Sequence, residues 1–385
     1  MKLFTKLLTL MLVLALSFSF VACNNDDDGV DTSDYTGWAF EYEEKTDDDN
    51  NEYYLITGLF VADGDATAVA SGLHNGIDLT VGANGEITVP VYEKDENGED
   101  KPTYTDGKLN TTTVKLDETH TYFEIADDAF ANQLIINSAV IDKSVTKIGV
   151  ASFAGCANLE SITLPFIGNE IGAVNASKVF ANIFGSAEAA NCTAVTANYN
   201  ESGTATFYVP NALTSITVNF EGENAEVPAY AFYGLNSVTS IAINGNVTKI
   251  NRNAFTNCTD LISVTLPATV TEIGRSAFSA CTSMLAFDFS KLTALTTIGQ
   301  EAFSGCIGLG YGKNTVITMG DAVASLGDKA FYGCTSIKAI DLKNVESIGY
   351  ACFFNCSELK SVTHSATEVG AYAFENCHDD LAING

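Results

Sequence analysis

The sequence predicts a repeat solenoid of short β-strands and short helical turns, preceded by a β-rich N-terminal region. Three observations predict it. A motif of about 23 residues, Ile-Gly-x-x-Ala-Phe-x-x-Cys-x-x-Leu-x-x-Ile-x-Leu, recurs from Ile148-Gly149 to the C-terminus. Within each copy, apolar residues alternate with Ser and Thr over four to six positions, the pattern of a half-buried strand. The composition, 46% hydrophobic and 17% charged, suits a packed core.

Charge narrows the partners. Acidic residues number 48 against 19 basic ones, a formal net charge of −29, and Arg252 and Arg275 are the only arginines. Nucleic-acid binding draws its sequence-independent strength from basic side chains on phosphates, so that class is excluded. Docking on anionic lipid fails for the same reason. Four His and one Trp argue against a His-rich metal enzyme.

The elements follow in chain order. Lys2 and Lys6 precede the apolar run Leu7 to Phe20, which is short for a membrane span and normal for an export signal. Phe20-Val21-Ala22-Cys23 resembles a bacterial lipobox, with Phe20 in place of the usual Leu. Residues 1–22 therefore read as a lipoprotein signal peptide and Cys23 as the lipidated residue. Ordinary cleavage after Ala22 is the alternative, and a bulky residue three positions earlier fits it worse. Residues 23–34, rich in Asn and Asp, have nothing to bury and read as an acidic flexible tether. The run Asp26–Asp28 lacks the Gly turn and distal Glu of a calcium loop.

Residues 35–123 carry no repeat. Trp38, Tyr42, Tyr53 and Tyr54 sit among acidic runs, Ile87, Val89 and Val91 alternate, and Asn97-Gly98 and Asp106-Gly107 are turn signals. This region reads as a β-rich cap on the solenoid or as a small independent β-domain.

Residues 124–385 form the solenoid. The key phenylalanines are Phe130, Phe153, Phe232, Phe255, Phe278, Phe303, Phe331, Phe353 and Phe374, spaced 23, 79, 23, 23, 25, 28, 22 and 21 residues apart. The long interval holds one further turn, with Val179-Phe180 as its degenerate helical piece and an insertion near residues 185–208. Phe207, inside that insertion, is expected to tolerate truncation. Pro165 and Pro267 close their strands by removing a ladder donor. The Phe-containing piece is too short for an independent helix and reads as a helical turn held by packing. One turn cannot bury its own Phe, Leu and Ile, whereas stacked turns bury all three.

The run from Val247-Thr248-Lys249-Ile250 to Leu266-Pro267-Ala268-Thr269-Val270-Thr271-Glu272-Ile273-Gly274 resembles the BspA-like, or treponemal-type, leucine-rich repeat family of bacterial surface proteins. The resemblance covers about two thirds of the chain. It implies a curved right-handed leucine-rich repeat solenoid with parallel strands on the concave face and helical turns on the convex one. It also implies export or surface anchoring and a role in adhesion. Gln133 and Leu235 depart from the repeat Cys, and Gly308–Gly312 loosens one turn.

Little in the sequence points to catalysis. Cys156, Cys258, Cys281, Cys306, Cys334, Cys356 and Cys377 each lie three residues after a repeat Phe, and Cys352 takes the Ala position before Phe353. Identical placement in each turn reads as core packing by a small apolar side chain and not as bridges or metal ligands. The turns are expected to splay apart on this face, leaving the thiols free. Cys377-His378-Asp379-Asp380 makes no ligand spacing beyond its repeat position. Asp288 and Asp341 share the strand position of Thr163 two turns apart, about 10 Å at ordinary strand spacing and just wide of an inverting glycosidase pair. No catalytic residue, metal or cofactor is expected.

The leading reading is a lipid-anchored surface protein whose strand face binds a protein or glycan on host matrix or neighbouring cells. Ser161, Thr163, Ser215, Thr217, Ser240, Ser263, Thr265, Asp288, Asp341, Ser361 and Thr363 line that face, leaving room for a partner. The membrane is reached through the N-terminal lipid alone. A passive envelope component and a carbohydrate-active enzyme on a repeat scaffold are the rival readings.

Overall fold

The computed structural model describes residues 38–61, 77–94, 98–105, 108–173, 175–312 and 315–384. The leader, Cys23 and the tether lie outside these. The chain divides into Met1–Tyr35 and one unit, Thr36–Gly385, which holds every described residue.

Most repeat turns contribute to two ladders. The first, here the polar sheet, orders parallel strands Ile77–Val81, Ile136–Ile141, Ser161–Leu164, Ser215–Asn219, Ser240–Asn244 and Ser263–Thr265 side by side. It resumes with Val316–Thr318, Ala339–Asp341, Ser361–Thr363 and Ala382–Asn384. The second, the flanking sheet, runs through seven parallel strands from Ala225–Val227 and Val247–Ile250 to Glu368–Val369. Ile162, Leu164, Ile216, Val218, Ile241 and Ile243 are almost fully buried between the ladders, while their neighbours in the strands face outward. That alternation is the period of a strand with one wet face.

The N-terminal strands join both ladders. Trp38–Thr46 pairs antiparallel with Glu52–Val61, which runs parallel to His120–Ile125, itself parallel to Val145–Ile148. Ile77–Val81 pairs in parallel with Ile136–Ile141. Phe40 meets Phe130 with ring centroids 6.1 Å apart. Beyond them, Glu86–Pro90 pairs with Thr111–Lys115, and two small hairpins follow at Tyr92–Lys94 with Asp100–Pro102 and at Tyr104–Thr105 with Lys108–Leu109.

The expected helical turns take another form. No α-helix occurs among the described residues, only short 3-10 segments such as Phe180–Phe184 and Phe289–Lys291. Each repeat Phe sits between two left-handed residues: Asn253 (φ 56°) and Asn257 (φ 61°) flank Phe255, and Ser276 and Ala280 flank Phe278. A left-handed residue on either side ends any helix. The freed donors cross to the next turn, where Asn253, Phe255 and Asn257 N–H groups bond to the carbonyls of Arg275, Ala277 and Ser279 at 2.7–2.9 Å. This face is thus a third hydrogen-bonded ladder.

That ladder corrects the expectation that the turns splay apart here. The described cysteines are free, but the repeat thiols do more than fill space. Cys258, Cys281, Cys306, Cys334 and Cys356 each donate Sγ–H to the Phe carbonyl one turn earlier, at 2.9–3.2 Å. Burial pushes the Cys258 thiol up to about 12. Beside them, Phe232, Phe255, Phe278, Phe303, Phe331, Phe353 and Phe374 stack with centroids 4.7–5.5 Å apart and planes within 17° of parallel.

The insertion is an antiparallel hairpin, Cys192–Asn198 with Thr204–Pro210. Phe207 is buried at 4% exposure, which overturns its expected tolerance. The hairpin packs against the 3-10 segment, and Tyr208 N–H bonds to the Gly185 carbonyl. The hairpin therefore has its own apolar underside.

Candidate interaction surface

Strand register places most of the candidate residues in two rows. Ser138, Ser161, Ser215, Ser240 and Ser263 are successive partners, with Asp78 continuing the row at the N-terminal end. Thr163, Thr217, Ala242 and Thr265 form the second row, preceded by Thr80 and Val140. In-register parallel pairing sets equivalent positions of successive repeats side by side, so two side chains per strand build stripes, the second interrupted by Ala242. Asp78 and Thr80 were missed because their strand, Ile77–Val81, lies outside the repeat, and Ser138 and Val140, in the Phe130 turn, were passed over. The readable signal was the alternation in Ile136-Asn137-Ser138-Ala139-Val140-Ile141.

These hydroxyls are spare. Ser161, Thr163, Ser215, Thr217, Ser240, Ser263 and Thr265 make no side-chain hydrogen bond among the described residues, whereas Thr239 and Thr271, at the entries to their strands, spend theirs on carbonyls of the preceding turn. Ser138 Oγ donates to Asp78 Oδ1 at 2.6 Å. The stripes thus present short donors and acceptors on a surface with little side-chain bulk.

The far part of the surface departs from expectation. Asp341, Ser361 and Thr363 lie in strands, with Thr318, Asp341 and Thr363 in one row and Ser361 beside Ala339. Asp288 does not. The polar sheet stops at Ser263–Thr265 and resumes at Val316–Thr318, and Asp288 immediately precedes the short 3-10 segment Phe289–Lys291 between them. Phe287 and Phe289 wedge edge-on against Phe303, pulling this segment out of ladder register. The Asp288 carboxylate accepts from Ser290 Oγ at 2.5 Å and pairs with Lys291 Nζ at 3.2 Å. The Ser290 bond foremost, with Lys291, holds its carboxyl below the usual range. A carboxylate so held carries no proton to donate at neutral pH. The break leaves a cleft of about 360 Å³ between Leu285–Ser290 and Val316–Thr318.

Among the described residues no group of His, Cys, Asp and Glu is arranged to hold a metal ion, and no helix is long and apolar enough to cross a membrane.

The chain aligns with a leucine-rich repeat protein of T. pallidum at 24% identity over 46% of this chain and 80% of that one, with a TM-score of 0.39. A leucine-rich cell surface protein of Faecalibacterium prausnitzii aligns at 18% identity over 85% and 93%, with a TM-score of 0.33. A leucine-rich repeat protein of Eubacterium ventriosum aligns at 19% over 64% and 66%, with a TM-score of 0.30. A search of curated proteins finds no match. The profile of the BspA type leucine rich repeat region matches in six copies over residues 123–221, 200–313 and 293–382. With its strand ladders, Phe stack and most of its length covered by that profile, the chain belongs to the BspA type leucine-rich repeat family.

Proposed function

We propose that this protein is a lipid-anchored surface protein that uses the polar sheet to bind a protein or glycan on host matrix or neighbouring cells. One observation carries the reading: two in-register rows in which Ser161, Ser215, Ser240 and Ser263, and Thr163, Thr217 and Thr265, keep hydroxyl groups that the fold does not use. Parallel strands joined by crossovers take the right-handed sense almost without exception, which supports a right-handed coil with this sheet on the concave side. Cys23 supplies the anchor in this reading, because its thiol follows an export-signal core.

The test replaces Thr217 and Ser240 together by Arg, filling both rows at adjacent strands without touching the core. The full-length protein and the variant are screened against matrix proteins and a glycan array. Loss of a captured partner by a variant that melts normally supports the reading; a partner held equally by both sinks it. Cys23→Ala should leave the protein unprocessed or in the aqueous phase of a detergent partition. Normal maturation and membrane retention would remove the anchor from the proposal.

A further inference from the structure

The flanking sheet is broken at the stretched repeat. Val145–Ile148 ends one part of it, Ala225–Val227 begins the other, and only an isolated bridge from Lys147 to Glu170 lies between. Ala225 and Val227 turn their backbone groups toward Val247–Ile250, since Ala225 N–H bonds to Asn246 and Asn251 N–H bonds to Val227. Backbone groups alternate along a strand, so the N–H and C=O of Glu226 face the opposite edge. That edge opens onto a cleft of about 310 Å³.

The cleft has an apolar floor and an acidic rim. Phe166 and Ile167 are buried beneath it, Phe220 is half-buried, and Ile171 stands 77% exposed at its mouth. Glu221, Glu223 and Glu226 line the other side. Glu221 is offset by Lys143 at 4.0 Å, Glu226 accepts only from the neutral Asn251 amide at 2.9 Å, and Glu223 has no ion-pair partner among the described residues.

We propose that this cleft docks an extended segment of a partner protein, alternating apolar and basic residues, as a strand added to Ala225–Val227. An open strand edge supplies main-chain hydrogen bonds, and pockets for alternate side chains supply the selection. Apolar side chains enter between Phe166 and Ile171, while lysines or arginines meet Glu223 and Glu226. The surface is separate from the polar sheet, so either site can fail without the other.

The probe is a fluorescein-labelled peptide of alternating Val and Lys, titrated into the full-length protein and read by anisotropy. Ile171→Asp and Glu223→Lys should each weaken binding roughly tenfold, the scale of a central contact in a small interface. Glu368→Lys makes the same charge change on the far C-terminal strand and should leave affinity within about twofold, as for a distant surface charge. Glu226→Gln and Glu226→Pro both lose the charge, but only proline deletes the N–H facing the cleft, a change an edge strand tolerates. Proline should therefore weaken binding well beyond glutamine. In the unsubstituted protein, adding peptide should protect the Glu226 amide from hydrogen exchange, which tests the added strand without any substitution. Equal binding of a lysine-only peptide, equal damage from Glu368→Lys, or an unprotected Glu226 amide would each overturn the proposal.

Discussion

The regular run from Phe232 to Phe374 and the stretched repeat before it are built from the same motif, yet they solve different problems. In the regular run the turns vary from 21 to 28 residues, yet the extra length is taken up on the polar sheet, so the rings still stack in parallel and thiols meet carbonyls in step. In the stretched repeat, Phe180 leans 40° from Phe232, and Phe184 stands at 66° to Phe180. Asn169 and Asn182 are buried together. Register, once lost, is repaired locally by polar bonds, and the repair leaves the flanking sheet open. Regularity makes stability; interruption makes exposed edges and clefts.

The largest effect should come from breaking the ring stack. Phe255 is fully buried between Phe232 and Phe278. Its truncation to Ala should cost about 3–5 kcal/mol and split thermal unfolding into separate N- and C-terminal transitions, as expected of a one-dimensional array. Phe207→Ala should also destabilise, because the hairpin buries it, but by loosening the hairpin within a single transition. Calorimetry of the two variants distinguishes them. One transition in both would mean that the stack does not couple the turns.

Next comes the polar repair of the stretched repeat. Asn182 Nδ2 donates to Asn169 Oδ1, and Asn169 Nδ2 donates to the Ile148 carbonyl at 2.8 Å. Asn182→Ala strands a buried acceptor, which costs about 1–3 kcal/mol. Denaturant melts of the single and Asn169/Asn182 double Ala variants should show strong non-additivity. Additive losses would mean that the pair does not act as a unit.

Much of this architecture was legible in the sequence because period and alternation are physical constraints on stacking. The Phe positions, the thiol positions and the Ser/Thr rows follow from them. The helical turn was misread although its correction was visible: Gly155, Gly234, Gly305 and Gly333, or Asn132, Asn257, Asn355 and Asn376, stand two residues after a repeat Phe. Gly and Asn are the residues that accept the left-handed conformation, so this spacing marks a turn and not a helix. Asp288 was misplaced because the 25- and 28-residue spacings around Phe303 conceal a segment pulled inward by Phe287 and Phe289. The strand Ile77–Val81 carries no period, so its place beside Ile136–Ile141 rests on long-range pairing no local pattern reports.

The thiol ladder adds a pH dependence on both sides of the stretched repeat, since Cys156 donates to the Phe130 carbonyl at 3.0 Å and burial pushes it up as it does Cys258. An ordinary thiol titrates near 9, and burial holds Cys258 near 12 in the folded chain. The Cys258 thiol therefore contributes stability that is fully present below pH 9 and is lost as pH rises from 9 to 12, by about 1.4 kcal/mol per pH unit. Urea unfolding at successive pH values should become less steep with pH in Cys258→Ala by that amount per unit. An unchanged slope would mean the thiol is not shielded as its burial implies.

The smallest effect sharpens the comparison from the surface side. In the flanking sheet, Glu226, Lys249 and Glu272 occupy successive rungs, and Lys249 Nζ lies 2.9 Å from Glu272. The row then continues through Thr297, Ser325 and Ser347, where no charges pair and the ladder is equally regular. Backbone bonds and the buried Ile250, Ile273 and Ile298 beneath therefore hold the rungs, and the ion pair only decorates them. Both side chains are partly exposed, so solvent and salt screen the pair. Lys249→Met should cost less than about 1 kcal/mol at low salt, and the loss should vanish in high salt. A cost that matched Asn182→Ala and survived salt would show that charge pairing, and not regular stacking, sets the register of this run.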